Sequence, residues 1–117
     1  MRVRNRTRSV DIVTSGRMAV GFWDRLRGLL GHPSLAEGEG LLLCPERSIH
    51  TFLMRFPIDV VYLDAHNVIV GLTEAMPPQR LGPWIRGTQA VLELPAGTVA
   101  RMDIAVGDQL EIESGDE

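Results

Sequence analysis

Polar and apolar residues alternate at the start of the chain. Residues 2–8 read RVRNRTR, with Arg2, Arg4, Arg6 and Arg8 on every second position. A period of two is the strand signature and puts the four arginines on one face. Val10, Ile12 and Val13 predict that this strand continues or pairs with a second. The period then changes. Over residues 18–31, Val20, Trp23, Leu26, Leu29 and Leu30 recur at spacings of three and four, which predicts an amphipathic helix. Gly31 and the following His32-Pro33 stop it.

Downstream the pattern is that of short strands. Leu41-Leu42-Leu43 predicts a buried strand, residues 48–56 (SIHTFLMRF) a second, and residues 58–63 (IDVVYL) a third. Asp64-Ala65-His66-Asn67 has hairpin chemistry, with residues 68–73 as the returning partner. Residues 75–88 hold Pro77, Pro78, Gly82, Pro83 and Gly87 and predict a long irregular loop around Trp84; such loops are often binding loops. Residues 89–94 form another strand, Thr98 caps a helical turn through Met102, and residues 109–112 form the last strand. The expected architecture is α+β, mostly β: a small twisted or closed β-barrel of about seven short strands with one packed amphipathic helix. It is one domain over residues 1–117, ending in a polar tail at 114–117.

Composition narrows the function. The 117 residues suffice for one domain, and with 44% hydrophobic and 23% charged residues the chain is of ordinary globular balance. A formal net charge of -3 argues against a nucleic-acid partner. The one cysteine, Cys44, leaves no intrachain disulfide or CxxC site and fits a reducing cytoplasm. No stretch approaches the roughly 20 apolar residues of a membrane span, so a soluble, cytoplasmic protein is expected.

Four segments, in order, carry a family resemblance. They are Arg25-Leu26-Arg27-Gly28-Leu29-Leu30-Gly31, residues 48–64 from Ser48-Ile49-His50 to Tyr62-Leu63-Asp64, Leu92-Glu93-Leu94-Pro95-Ala96-Gly97, and Val106-Gly107-Asp108. Together they resemble the domain of unknown function 192 family, also called uncharacterised protein family 0127. The resemblance implies a compact β-rich domain and carries no established reaction. Related sequences often place a cysteine after the proline, where this chain has Glu46. Here Cys44 precedes Pro45, so a role for that cysteine does not carry over.

The residues that could carry chemistry are Arg27, His50, Met54, Asp59, Trp84 and Glu93. If residues 48–56 are a strand, His50 shares a face with Phe52 and Met54 and looks into the barrel or its mouth. There it is either a ligand contact or base, or a core histidine bonded to Asp59 or Glu93, which is the more economical account. Asp59, in an apolar run, is either a general base or is paired with Arg27 or Arg55, unless its strand face is exposed. Glu93, between Leu92 and Leu94, is most simply read as lying on an exposed strand face. Arg27 is an anion anchor, a loop clamp or an ordinary surface arginine. Trp84 either stacks on a sugar or another flat ligand or plugs one barrel end. A Cys44/His50/Asp59 triad can be written, but geometry alone would establish it. His32, His50 and His66 lack metal-ligand spacing, and no cofactor motif is present. The expected function is a small ligand-binding or accessory module with a polar site at a barrel end, monomeric or weakly dimeric. Its rivals are a small hydrolase or transferase using His50 with Asp59 or Cys44, and a protein-interaction domain.

Overall fold

The computed structural model of the protein describes residues 1–21, 25, 34–47 and 54–114. Among them the strands are β1 (Arg2–Asn5), β2 (Val10–Val13), β3 (Ser15–Ala19), β4 (Glu39–Leu43), β5 (Ile58–Leu63), β6 (Ile69–Met76), β7 (Ala90–Pro95) and β8 (Leu110–Glu113). One helical turn, α1 (Thr98–Arg101), lies between the last two. The fold is α+β and mostly β.

The strands form a three-stranded sheet, β2-β1-β8, and a five-stranded sheet, β3-β4-β7-β5-β6. The expected barrel is thus two sheets, stitched together at two seams. At one, Met1 and Gly16 exchange backbone hydrogen bonds, each 2.8 Å. At the other, Val68 bridges Gln109, and Ile69 N donates to Asp108 O at 3.0 Å.

The alternating arginines do not form one strand. β1 ends at the buried Asn5, because its Oδ1 accepts from Arg8 N at 3.2 Å and turns the chain. Arg2 and Arg4 stay on the outer face of β1, opposite Glu113 and Glu111 of β8, and Arg4 also pairs with Asp11 at 3.0 Å. Arg8 instead reaches Asp108, whose Oδ2 accepts from Arg8 Nε, Asn5 Nδ2 and Ala105 N at 2.9, 2.8 and 3.0 Å. Burial pushes the Asp108 carboxyl up, but these bonds and the Arg8 charge outweigh it, and the group is held below the ordinary carboxylate range.

Two further expectations change. Met18 and Ala19, expected at the start of the helix, end β3, where they pair in parallel with Leu42 and Leu43. Arg25 is helical, its amide donating to Gly21 O at 2.9 Å; the rest of the predicted helix, residues 22–24 and 26–31, lies outside the described residues. The end of the predicted 48–56 strand is not a strand either. Met54 packs its side chain onto the large sheet, and Arg55-Phe56 bend into Pro57, which has no N–H for a ladder. Residues 48–53 lie outside the described residues.

The large sheet is covered on both faces. Val61, Leu63, Leu92, Leu94 and Leu42 face the small sheet and α1, while Val60, Tyr62, Val91, Leu41 and Leu43 face a second apolar layer that includes Met54, Phe56 and Ile85. Every residue of β5 is buried, Asp59 included. Asp59 Oδ1 accepts from Ala75 N at 2.7 Å, and Oδ2 accepts from Gly97 N and Val99 N at 3.1 and 2.8 Å. Gly97 adopts φ 95° to present its amide, a conformation glycine takes without strain. Replacing Asp59 with Ala would leave three amides without their acceptor. It is expected to cost about 3 kcal/mol or more, read as a lower urea midpoint at unchanged slope.

Candidate functional site

The pairing register lays one row of side chains across the outer face of the large sheet. Arg17 of β3 is level with Leu41 of β4, Leu41 with Glu93 of β7, Glu93 with Val60 of β5, and Val60 with Thr73 of β6. The adjacent row is Ala19, Leu43, Val91, Tyr62 and Gly71. Glu93 therefore sits among Leu41, Leu43, Val60, Val91 and Tyr62, under the layer that Met54 and Ile85 help to form. Ile85 lies directly on Gly71, so closely that any Cβ there would collide with its Cδ1.

Glu93 is only 3% exposed, and among the described residues its Oε1 has no hydrogen-bond partner. This corrects the expectation of an exposed strand face. Burial pushes its carboxyl up to about 8; Arg17 pulls the other way, and Glu46 adds to the rise. Glu93 therefore carries its proton at neutral pH. The Tyr62 hydroxyl, 3.1 Å from Thr73 Oγ1, is also raised, mainly by burial, with the Thr73 bond opposing and Glu93 contributing.

Arg25 carries a second buried polar atom of this kind. Arg25 Nη1 donates to Pro45 O at 2.7 Å, but its buried Nε has no partner among the described residues. Pro45 precedes Glu46, the carboxylate that acts on Glu93, and Glu46 N is held by Gln89 O at 2.9 Å, four residues before Glu93.

The predicted site residues therefore separate. Met54 and Glu93 belong to the same outer layer. Asp59 lies on the opposite face of the sheet, between Ile58 and Val60, with both oxygens bonded to backbone amides. Trp84 is 71% exposed on the 77–89 loop, and Ile85 beside it covers the sheet. Arg27 and His50 lie outside the described residues. Of the hydrolase residues, Cys44 packs half-buried against the inner core. Among the described residues no three His, Cys, Asp or Glu side chains group as a metal site. Arg17, Arg25, Glu46 and Tyr62 were not singled out from sequence. The available signal was the continuous apolar run Val60-Val61-Tyr62-Leu63 of β5, which marks a strand buried on both faces and so a buried Glu93 beside it.

A small mostly-β module with a neutral carboxyl in an apolar sheet face is the class that fold and geometry define. The chain belongs to the DUF192 family, described as uncharacterised ACR, whose model matches residues 3–112. A UPF0127 protein of Thermococcus sibiricus is 31% identical over 111 residues, covering 90% of this chain and 71% of that one. A UPF0127 protein of Pyrococcus furiosus is 34% identical over 64 residues, 55% of this chain and 54% of its own. Among solved structures, a protein of unknown function from Novosphingobium aromaticivorans has the same fold at a TM-score of 0.82 and 21% identity, covering 95% of this chain and 82% of that one. A proposed transcription regulator of Sinorhizobium meliloti matches at 0.79 and 26% identity, over 94% of this chain and 89% of its own.

Glu93 makes stability depend on pH with an unusual sign for a carboxylate. The unfolded chain releases this proton near 4.5, whereas the folded chain holds it to about 8. Between those values the folded state binds more protons, so this group's contribution to stability falls as pH rises. The expected loss from pH 5 to pH 8 is about 3 kcal/mol. In Glu93→Gln, which cannot ionise, chemical denaturation over this range should lack that loss.

Proposed function

We propose that the protein is a small ligand-binding or accessory module whose contact site is the outer face of the large sheet around Glu93. The unpartnered Oε1 of that buried side chain carries the reading. A buried polar atom without a partner costs about 1–3 kcal/mol, and structural carboxylates avoid that cost as Asp59 does, by taking every amide in reach. An acid kept neutral, with one buried oxygen unpartnered among the described residues, is instead suited to meeting a ligand's polar group.

Other observations weigh on the rivals. The hydrolase reading asks Asp59 to orient His50, but the Asp59 oxygens already serve three amides. The regulator description of the Sinorhizobium protein finds little support here in charge. Arg2 and Arg4 face Glu113, Glu111 and Asp11, leaving no open basic stripe on β1. An open groove of about 600 Å³ beside Thr7, Arg8 and Arg101 is less suited to an anion, because Arg8 is bonded to Asp108 and Arg101 lies 3.9 Å from Glu37. Among the described residues no helix is long and apolar enough to cross a membrane, and the single unpaired Cys44 is in keeping with the reducing cytoplasm.

The protein-interaction reading has one observation of its own. Leu81 and Trp84 are 73% and 71% exposed on the same loop, and tryptophan is prominent among residues that dominate interfaces. Analytical ultracentrifugation of the wild type and Trp84→Ser over a range of concentrations tests it. Self-association lost in the variant would favour that reading over a lone binding module.

The leading reading is tested with Glu93→Leu. The variant removes an unpaired polar group, so the unliganded protein should become more stable, by about 1 kcal/mol. In a thermal-shift screen of small acids, amines, sugars and nucleotides, a compound that stabilises the wild type should no longer do so. A variant that is strongly destabilised and keeps every response would show that Glu93 is a piece of structure.

A further inference from the structure

The five-stranded sheet ends on β6. The bonding pattern shows which of its backbone groups face outward. Leu63 O accepts from Gln89 N at 2.7 Å, so Leu63 faces β7 and its neighbour Tyr62 faces β6. Tyr62 is level with Gly71, and the next residue, Leu72, therefore directs its N–H and C=O away from β5. The open stretch is short. At one end Ile69 is sealed by Asp108 O and Gly107 N, and at the other Ala75 N goes to Asp59 Oδ1. Between them, neither Leu72 nor Glu74 makes a hydrogen bond along this edge among the described residues.

Glu74 on this edge also lines a groove of about 510 Å³ with Arg8, Val99, Ala100, Asp103 and Ile104. Leu72 packs against the inner core with Val99 and Ile104, and Glu74, two residues on, shares its side of the strand. The charges of the groove are uneven. Arg8 is bonded to Asp108, whereas neither Glu74 nor Asp103 has an ion-pair partner among the described residues. We propose that β6 takes up an extended basic peptide as an added strand, paired through the Leu72 backbone, with a lysine or arginine of the peptide in the groove beside Glu74 and Asp103. The inference is independent of the Glu93 site, which lies on the other face of the same sheet.

Strand addition to a free edge is a recurrent mode of peptide recognition, in which main-chain bonds supply affinity and alternate side chains supply specificity. A free edge also invites indiscriminate pairing, which proteins limit with bulges and charge. Both devices are present. Glu74 and Ala75 together stand against Asp59 alone, a bulge that ends the open edge after Glu74. Glu74 and Asp103 attract a cation and repel an acidic strand. A second β6, with its own Glu74, is repelled in the same way, so the charge favours a basic peptide over another copy of the chain.

The test is an NMR titration of the full chain with the capped peptide acetyl-Val-Lys-Val-Lys-Val-amide. Its controls are the same peptide with glutamates for lysines, and the lysine peptide N-methylated at every residue. The lysine peptide is expected to shift the amides of Leu72 and Glu74 and to slow hydrogen exchange at Leu72 N–H by at least about tenfold. The two controls should leave both unchanged. Glu74→Gln should weaken binding about threefold, as should Asp103→Asn, which keeps the left-handed turn at φ 53°. Leu72→Pro removes the outward donor and no bond to β5, and should abolish binding. If that variant does not fold, the N-methylated peptide probes the same main-chain bonds.

Equal binding of the glutamate peptide, or binding unchanged in both acid variants, would overturn the basic class of partner. An N-methylated peptide that binds as well, or shifts confined to Val99 and Ile104, would overturn strand addition. Concentration-dependent broadening at Leu72 and Glu74 without any peptide would assign the edge to a second copy of the chain instead. If no peptide moves these amides, the proposal falls.

Discussion

Asp59 is a carboxylate with no access to water, on a strand whose neighbours on both sides are apolar. It survives there because three backbone amides from two different segments converge on it. Ala75 belongs to β6, and Gly97 and Val99 enter and open α1. One side chain thus fixes how the end of β6 and the helical turn meet the central strand. α1 has only four residues and no side-chain cap of its own, too short to persist without such a tertiary anchor. Val99 and Ile104 complete the inner core from this region, so the packing inside the sheets depends on the same three bonds.

Asp108 does comparable work at a seam. Its Oδ2 gathers Asn5, Arg8 and Ala105, while its backbone carbonyl receives Ile69 N. The end of β1, the turn before β8 and the start of β6 are brought together by one residue. Hydrogen bonds to an ionised group are stronger than neutral ones, and two sheets joined by few ladder bonds gain most from them.

Against these two satisfied carboxylates, Glu93 stands out by chemistry and not by burial. All three acids are at most 3% exposed. The others solve the cost of burial with donors; Glu93 solves it with a proton, and its Oε1 has no partner among the described residues. The same difference separates an acid that holds the fold through its bonds from the one on which the proposed site is built. It also explains why Asp59, equally conspicuous in the sequence, is a poor choice for chemistry: the lone pairs a base would use are already engaged.

Much of the fold could be read directly. The hairpin at residues 64–67, the strands at 41–43, 58–63 and 89–94, the position of the helical turn and the final strand all depend on neighbours in sequence: alternation and turn residues. The expected Thr98 cap does not form, because Thr98 is already the first helical residue and its hydroxyl donates back to Pro95 O at 2.7 Å. Family membership followed from segments of the same local kind. The misreadings depended on contacts distant in the chain. The arginine run breaks at Asn5, where the local bond from Arg8 N turns the chain and Asp108, 103 positions from Asn5, then holds both Asn5 and Arg8, and Met18 and Ala19 join a strand because Leu42 and Leu43 lie beside them in space. The site followed the same rule. Alternation correctly put Glu93 on the face opposite Leu92 and Leu94, but whether that face meets water is decided by what covers it. The sequence by itself determined most of the elements and, within them, the side of each strand on which a residue lies. Only the tertiary structure decided which sides were buried and which carboxylates found donors, because solvation and pairing belong to the assembled layers and not to any local stretch of chain.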